Sequence, residues 1–145
     1  MKPWRMWLPF PTLCAALVLM ILPIGYLMVF MPGPDERRIV AFSWFDGTLW
    51  GYGHPFPLPA AVLAAVSLVL FLVSRFAGRC GRICLGTLIF SAVLAVLALF
   101  TATAWNGWSV ATVVLLVMAA MMQAIVCHWE IRNGHSTLSE KGIEE

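Results

Sequence analysis

At 145 residues the chain is the size of one domain, and 61% of it is hydrophobic against 11% charged. A soluble domain carries about 25% charged residues, so a chain with a mean hydropathy of +0.89 cannot cover a water-facing surface of its own size. The net charge of +2 is too small, and its basic residues too scattered, for a nucleic-acid partner; the solvent this composition demands is a lipid bilayer.

The first apolar run starts after Lys2 and Arg5, with Trp4 and Trp7 placed at headgroup level and Pro9 and Pro11 opening the helix. Such a start also describes a secretory signal. The run is long for one, however, ends in Pro32-Gly33-Pro34 without a small-x-small cleavage pattern, and has no lipobox before Cys14. It reads as an uncleaved span over 12–31, long enough for the ~20 residues a hydrocarbon core requires, kinked at Pro23, with Gly25 easing the approach of a neighbour.

Asp35, Glu36, Arg37 and Arg38 then place the chain in water, opening a loop over 32–57. Within it Asp46-Gly47 separates two strand-like runs, Ile39 to Phe45 and Thr48 to Tyr52, the pattern of a tight hairpin. A short amphipathic helix with Ser43 as N-cap competes with that reading. Either way Trp44, Phe45, Trp50, Tyr52 and Phe56 form an aromatic cluster. Aromatics dominate contact energy at docking surfaces, so the candidate ligand- or partner-binding residues are Trp44, Phe45, Asp46, Trp50, Tyr52 and His54; an aromatic belt at the headgroups is the plainer alternative. Asp46 and His54 could pair as acid and base, but no nucleophile accompanies them, so no catalytic residue is assigned.

The second span is expected over 58–75, where Ala60, Ala61, Ala64 and Ala65 form overlapping small-xxx-small pairs. Arg75, Arg79 and Arg82 crowd the next loop. The third span runs over 83–104, with Gly86, Ala95, Ala98 and Ala102 as contact positions. After the turn Trp105-Asn106-Gly107-Trp108 comes the fourth span, 108–128, and then a polar tail over 129–145, expected to be mobile. Short of Arg75, which closes the second, no Asp, Glu, Lys or Arg falls inside any of the four apolar runs. That weighs against a pump or an ion-coupled transporter. Gln123, the most polar interior side chain, is expected to hydrogen-bond to a neighbouring helix.

Cys80 and Cys84 open the third span, and Cys127, His128 and His135 close the fourth, so antiparallel packing brings them to one depth. Thiolate and imidazole would suit zinc or copper(I). The Cys-x3-Cys spacing has no second pair to complete four ligands, so neither a metal nor another cofactor is assigned.

Lysine and arginine set orientation. Lys2, Arg5, Arg75, Arg79, Arg82, Arg132 and Lys141 fall on one side, Arg37 and Arg38 on the other. Both termini are therefore expected in the cytoplasm of a multi-pass protein of the plasma (cell) membrane.

The loop residues Ser43, Phe45, Asp46, Gly51, Tyr52 and Pro57 trace Ser-x-Phe-Asp, four residues, Gly-Tyr, four residues, Pro. In this and in the order of its spans the chain resembles a family of small uncharacterised four-span bacterial membrane proteins, departing from it at Pro55 and Pro59. The resemblance implies a fold and no activity. The expectation is thus an all-α membrane protein, a four-transmembrane-helix bundle with one structured extracytoplasmic loop between helices 1 and 2. Its function is expected to be a non-enzymatic accessory or scaffold subunit, with the bilayer and a membrane-protein partner or second copy as its company. The alternative is a small transporter or binder of an apolar or lipid-like ligand, with a cavity opening beneath Trp44 and Trp50; a membrane enzyme or metal protein ranks last.

Overall fold

The computed structural model describes residues 6–30, 36–51, 53–77, 81–102 and 106–141. They form α1 (Pro9–Ile21), β1 (Tyr26–Phe30), β2 (Arg38–Phe42), α2 (Thr48–Gly51), α3 (Pro57–Ala77), α4 (Gly81–Thr101) and α5 (Gly107–Lys141). The protein is mostly helical. Three of its helices, α3, α4 and the apolar part of α5, are long and apolar enough to cross a membrane; α1 is apolar but shorter.

The expected helix over 12–31 stops early. Proline at the start of α1 suits the first turn, where N–H groups lack partners anyway. Pro23 acts at the other end. It disfavours the helical conformation in the residue before it, and Leu22 is extended at φ −65°, ψ 138°, with its N–H capping Val18 O. Thirteen residues of helix remain, a length of ~20 Å. The freed segment Tyr26–Phe30 pairs antiparallel with β2, Tyr26 opposite Phe42 and Phe30 opposite Arg38. The expected hairpin about Asp46-Gly47 is therefore corrected: the first of its two strands is real but pairs with the end of the supposed first span, and Thr48–Gly51 is helical.

The helices close a ring in which α1 packs on α3 and α5, and α4 packs on the other sides of both. Their interior residues recur at steps of three and four: Ala60, Ala64, Ser67 and Phe71 on α3; Leu88, Ser91, Ala95 and Ala98 on α4; Thr112, Leu116, Ala119 and Gln123 on α5. That is the spacing of a coiled-coil seam, occupied largely by small residues that let backbones approach. Ser91 Oγ reaches across to donate to Ala60 O at 2.7 Å, and the hydroxyls of Ser67 and Thr87 meet at 3.0 Å. At the end away from the strands, Arg75 pairs with Glu130 at 2.8 Å and lies over the Phe71 ring, beside Trp7 and Phe10. The polar tail expected from 129 is helical as far as Lys141, as a continuation of α5.

Gln123 is 1% exposed, and its Oε1 accepts no hydrogen bond among the described residues. A buried polar atom without a partner costs roughly 1–3 kcal/mol, whereas overpacking a close seam costs a similar amount. Gln123→Leu should thus raise, and Ala60→Leu lower, the unfolding free energy from denaturant titration in detergent, each by about 1 kcal/mol or more; equal values for both variants and the parent would contradict this packing.

Candidate functional site

The loop residues singled out in the sequence gather where α1 breaks. Trp44 is fully buried. Its backbone N–H donates to Met20 O at 3.0 Å and its indole Nε1–H to Gly25 O at 3.1 Å. Gly25 is needed for this seat: a Cβ there would stand 2.6 Å from Trp44 Cδ1. Ser43, the candidate N-cap, instead donates from Oγ to Met20 O at 2.8 Å and accepts the Phe45 N–H at 3.2 Å. Two donors arrive from the start of α5. Asn106 Nδ2 donates to Ile24 O at 2.6 Å, and Ser109 Oγ donates to Gly25 O. A helix end leaves carbonyls without partners, and at this one Met20, Ile24 and Gly25 are each bound by donors from elsewhere in the chain.

Phe45 and Phe56 are half-buried against the same core. Asp46 shapes the next turn, where Oδ1 accepts the Thr48 N–H at 3.0 Å and the Thr48 hydroxyl at 2.7 Å. These two bonds, the backbone one first, hold its carboxyl below the usual aspartate range. His54 takes a different partner: its Nδ1 lies 3.2 Å from the Tyr26 hydroxyl, which also reaches Ala98 O at 3.4 Å. The two rings meet edge to face, as do Tyr26 and Trp44. Asp46 and His54 are thus engaged separately, in a turn and in a latch. Trp50 belongs to α2, but its side chain and the whole of Tyr52 lie outside the described residues. Tyr26 meets the Trp44 ring edge to face, and both belong with the fully buried Leu49 to the same apolar core.

Of the cysteine and histidine group, Cys84 and Cys127 are buried and the Cys84 thiol donates to Ser67 O at 3.4 Å. His128 is exposed, while Cys80 and the His135 side chain lie outside the described residues. Among the described residues no three His, Cys, Asp or Glu side chains come together as ligands of one ion would.

A second concavity was not anticipated from the sequence. Between α4 and α5, on their outward side, runs a groove of about 410 Å³ with a floor of Ala92, Ala120 and Ala124 and walls that include Ile89, Val93 and Met121; every lining residue is apolar. The signal available for it was the alignment of alanines on a face other than the interior seam, which composition alone does not separate from filler. Compared with known protein families, curated proteins and solved structures, the chain matches none.

Two outcomes test this geometry. Gly25→Ala should displace the indole, seen as a red-shifted tryptophan emission and faster proteolysis within 36–51; Trp44→Phe, which loses the hydrogen bond to Gly25 O and leaves part of the indole's volume empty, should cost roughly 2–3 kcal/mol. For Asp46 the lowered folded-state value means that the turn is supported above the ordinary aspartate range and loses that support as pH falls through the folded value. The Thr48 amide resonance should titrate with a midpoint below that of a free aspartate, and Asp46→Asn should abolish the titration.

Proposed function

We infer that the chain is a non-enzymatic integral membrane protein of the plasma membrane, crossing the bilayer four times with both termini in the cytoplasm and acting as an accessory or scaffold subunit. Arg75, Arg82 and Arg132 would then face the cytoplasm, and Arg37 and Arg38 with the strands the outside. The short first crossing fits this reading. Non-helical backbone is tolerated at membrane depth only where protein groups satisfy it, and the Leu22–Gly25 stretch has Ile24 O and Gly25 O bound by Asn106, Trp44 and Ser109.

The observation that carries the non-enzymatic reading is the content of the interior. Among the described residues the buried serine, threonine and glutamine side chains are Ser67, Ser91, Ser109, Thr112 and Gln123, all uncharged, and Trp44 is engaged in closing the break in α1. What remains to act on other molecules is the outward surface of the helices, including Val18 at 56% and Val69 at 59% exposed on α1 and α3. A second reading, a binder of a lipid-like ligand, is favoured by the α4–α5 groove; its ligand would enter from the side and not beneath Trp44.

Photo-crosslinking amino acids at Val18 and Val69 in native membranes should give discrete protein-sized adducts, of double mass for a second copy. Lipid adducts alone at both positions would overturn the scaffold reading, and thiol labelling that placed a residue introduced at 141 outside the cytoplasm would overturn the orientation.

A further inference from the structure

Cys84 and Cys127 are 0% and 6% exposed, and two independent marks place them at one level where α4 and α5 pack. A Cβ on Gly81 would stand 3.5 Å from Glu130 Oε2. The helices are antiparallel, so three residues on from Gly81 and three back from Glu130 is one turn deeper, ~4.5 Å, and those positions are Cys84 and Cys127. Counting instead from Val93 and Ala120, in the middle of the groove, puts Cys84 level with Trp129, two residues from Cys127. Arg75 and Cys127 both act on the Cys84 thiol through space, so the three side chains share one neighbourhood. Toward α3, Cys84 Sγ meets Ser67 O at 3.4 Å, a weak bond for a thiol. Two buried polar atoms at this end, Gln123 Oε1 and Arg75 Nε, have no hydrogen-bond partner among the described residues. Gln123 precedes Cys127 by four residues and so lies on the same face of α5.

We propose that Cys84 and Cys127 together bind one copper(I) ion, holding it as a bis-thiolate between α4 and α5. Copper(I) is soft and selects thiolate sulfur, and a filled-shell ion of single charge is satisfied by two such ligands in a line. It therefore needs no third His, Cys, Asp or Glu. Zinc does not suit the pair, since its structural sites take four ligands, and the other donors nearby are engaged or turned away: Glu130 on Arg75, His128 exposed. Binding exchanges two S–H bonds for two Cu–S bonds and releases two protons to water, with no change of oxidation state. The product carries one negative charge, which a dry interior tolerates only beside a cation and hydrogen-bond donors. Arg75 is that cation, and its Nε–H has no other acceptor among the described residues. Gln123 Oε1, one turn from Cys127, is the kind of weak further oxygen donor that copper sites accept. On the orientation proposed above, this end faces the cytoplasm, where thiols stay reduced and able to ligate. A copper-holding role goes beyond both the scaffold and the lipid-binding readings.

The test uses the full chain, purified in mild detergent under a thiol-free reductant, loaded with copper(I) and dialysed against the copper(I) chelator bathocuproine disulfonate. The parent should keep one copper per chain, with two sulfur neighbours in its X-ray absorption spectrum. Cys84→Ser and Cys127→Ser should each bring retained copper to background, and so should Cys84→Ala with Cys127→Ala, whose small apolar side chains suit the seam and keep the chain helical by circular dichroism. Gln123→Leu should weaken retention by about tenfold at most. Cys14→Ser and Cys80→Ser should leave one copper bound. Affinity should fall with pH by up to about a hundredfold per unit, as the release of two protons requires. A parent at background, copper retained by the helical double alanine variant, loss of copper on Cys80→Ser, or a Cys84–Cys127 disulfide persisting under the reductant would each overturn the site. Crosslinking at Val18 and Val69 is read without copper, so failure of the scaffold reading and failure of this site are told apart.

Discussion

Trp44 rests on Gly25, and this contact decides how one end of the molecule is built. Pro23 has no N–H, so the α1 ladder cannot continue, and the carbonyls beyond its last turn would stand unpaired in a nearly dry environment. The chain meets that cost with groups from distant positions: Ser43 and Trp44 on Met20 O, Asn106 on Ile24 O, Trp44 and Ser109 on Gly25 O. Because the indole both fills space and donates a hydrogen bond, neither a smaller apolar residue nor a polar one could replace it. The glycine is required equally, since any side chain would occupy the ring's position. A helix break that would ordinarily weaken a bundle is thereby made the point where three separate parts of the chain are joined.

The small residues of the interior seam have a complementary effect. Ala60, Ala64, Ala95 and Ala98 are fully buried, and the close helix spacing they allow leaves the bundle centre to backbone and short hydroxyls. In lipid, apolar burial gives no drive toward association, so packing and interhelical hydrogen bonds must supply it. The Ser91 bond to Ala60 O supplies one such link. The groove between α4 and α5 lies on the outward side of this seam.

Much of this arrangement was legible in the sequence. The spans expected over 58–75 and 83–104 lie within three residues at each end of α3 (Pro57–Ala77) and α4 (Gly81–Thr101), and Ala60 and Ala64 of the alanine pairs on α3 are buried. The first span was misread because hydropathy measures apolar content and not conformation. Tyr26 to Phe30 is as apolar as a helix interior, and only Pro23 signalled that it could be a strand. The turn chemistry of Asp46 was also visible, but Asp-Gly serves a short helical turn as readily as a hairpin, and the strand partner of Ile39 lay across Pro32 and Pro34. The aromatic loop shows the deepest ambiguity: an exposed docking cluster and a buried plug draw on the same residues, and what separates them is the glycine facing Trp44 nineteen residues away. The groove escaped notice for a similar reason, since Ala92 and Ala120 belong to a face that exists only once α4 and α5 are side by side.

The two ends of the bundle are therefore unlike in a way that bears on where ligands can act. At the strand end the polar groups Tyr26, His54, Trp44, Asn106 and Ser109 are used on one another or on backbone, and a ligand arriving there would have to displace internal bonds. At the other end Arg75 is engaged by Glu130, but Arg82 and His128 lie exposed on α4 and α5, where a ligand could approach without breaking the bundle. Binding at such a site needs no opening of the interior and no movement of the aromatic loop. A ligand bound there would stabilise the folded chain by simple mass action.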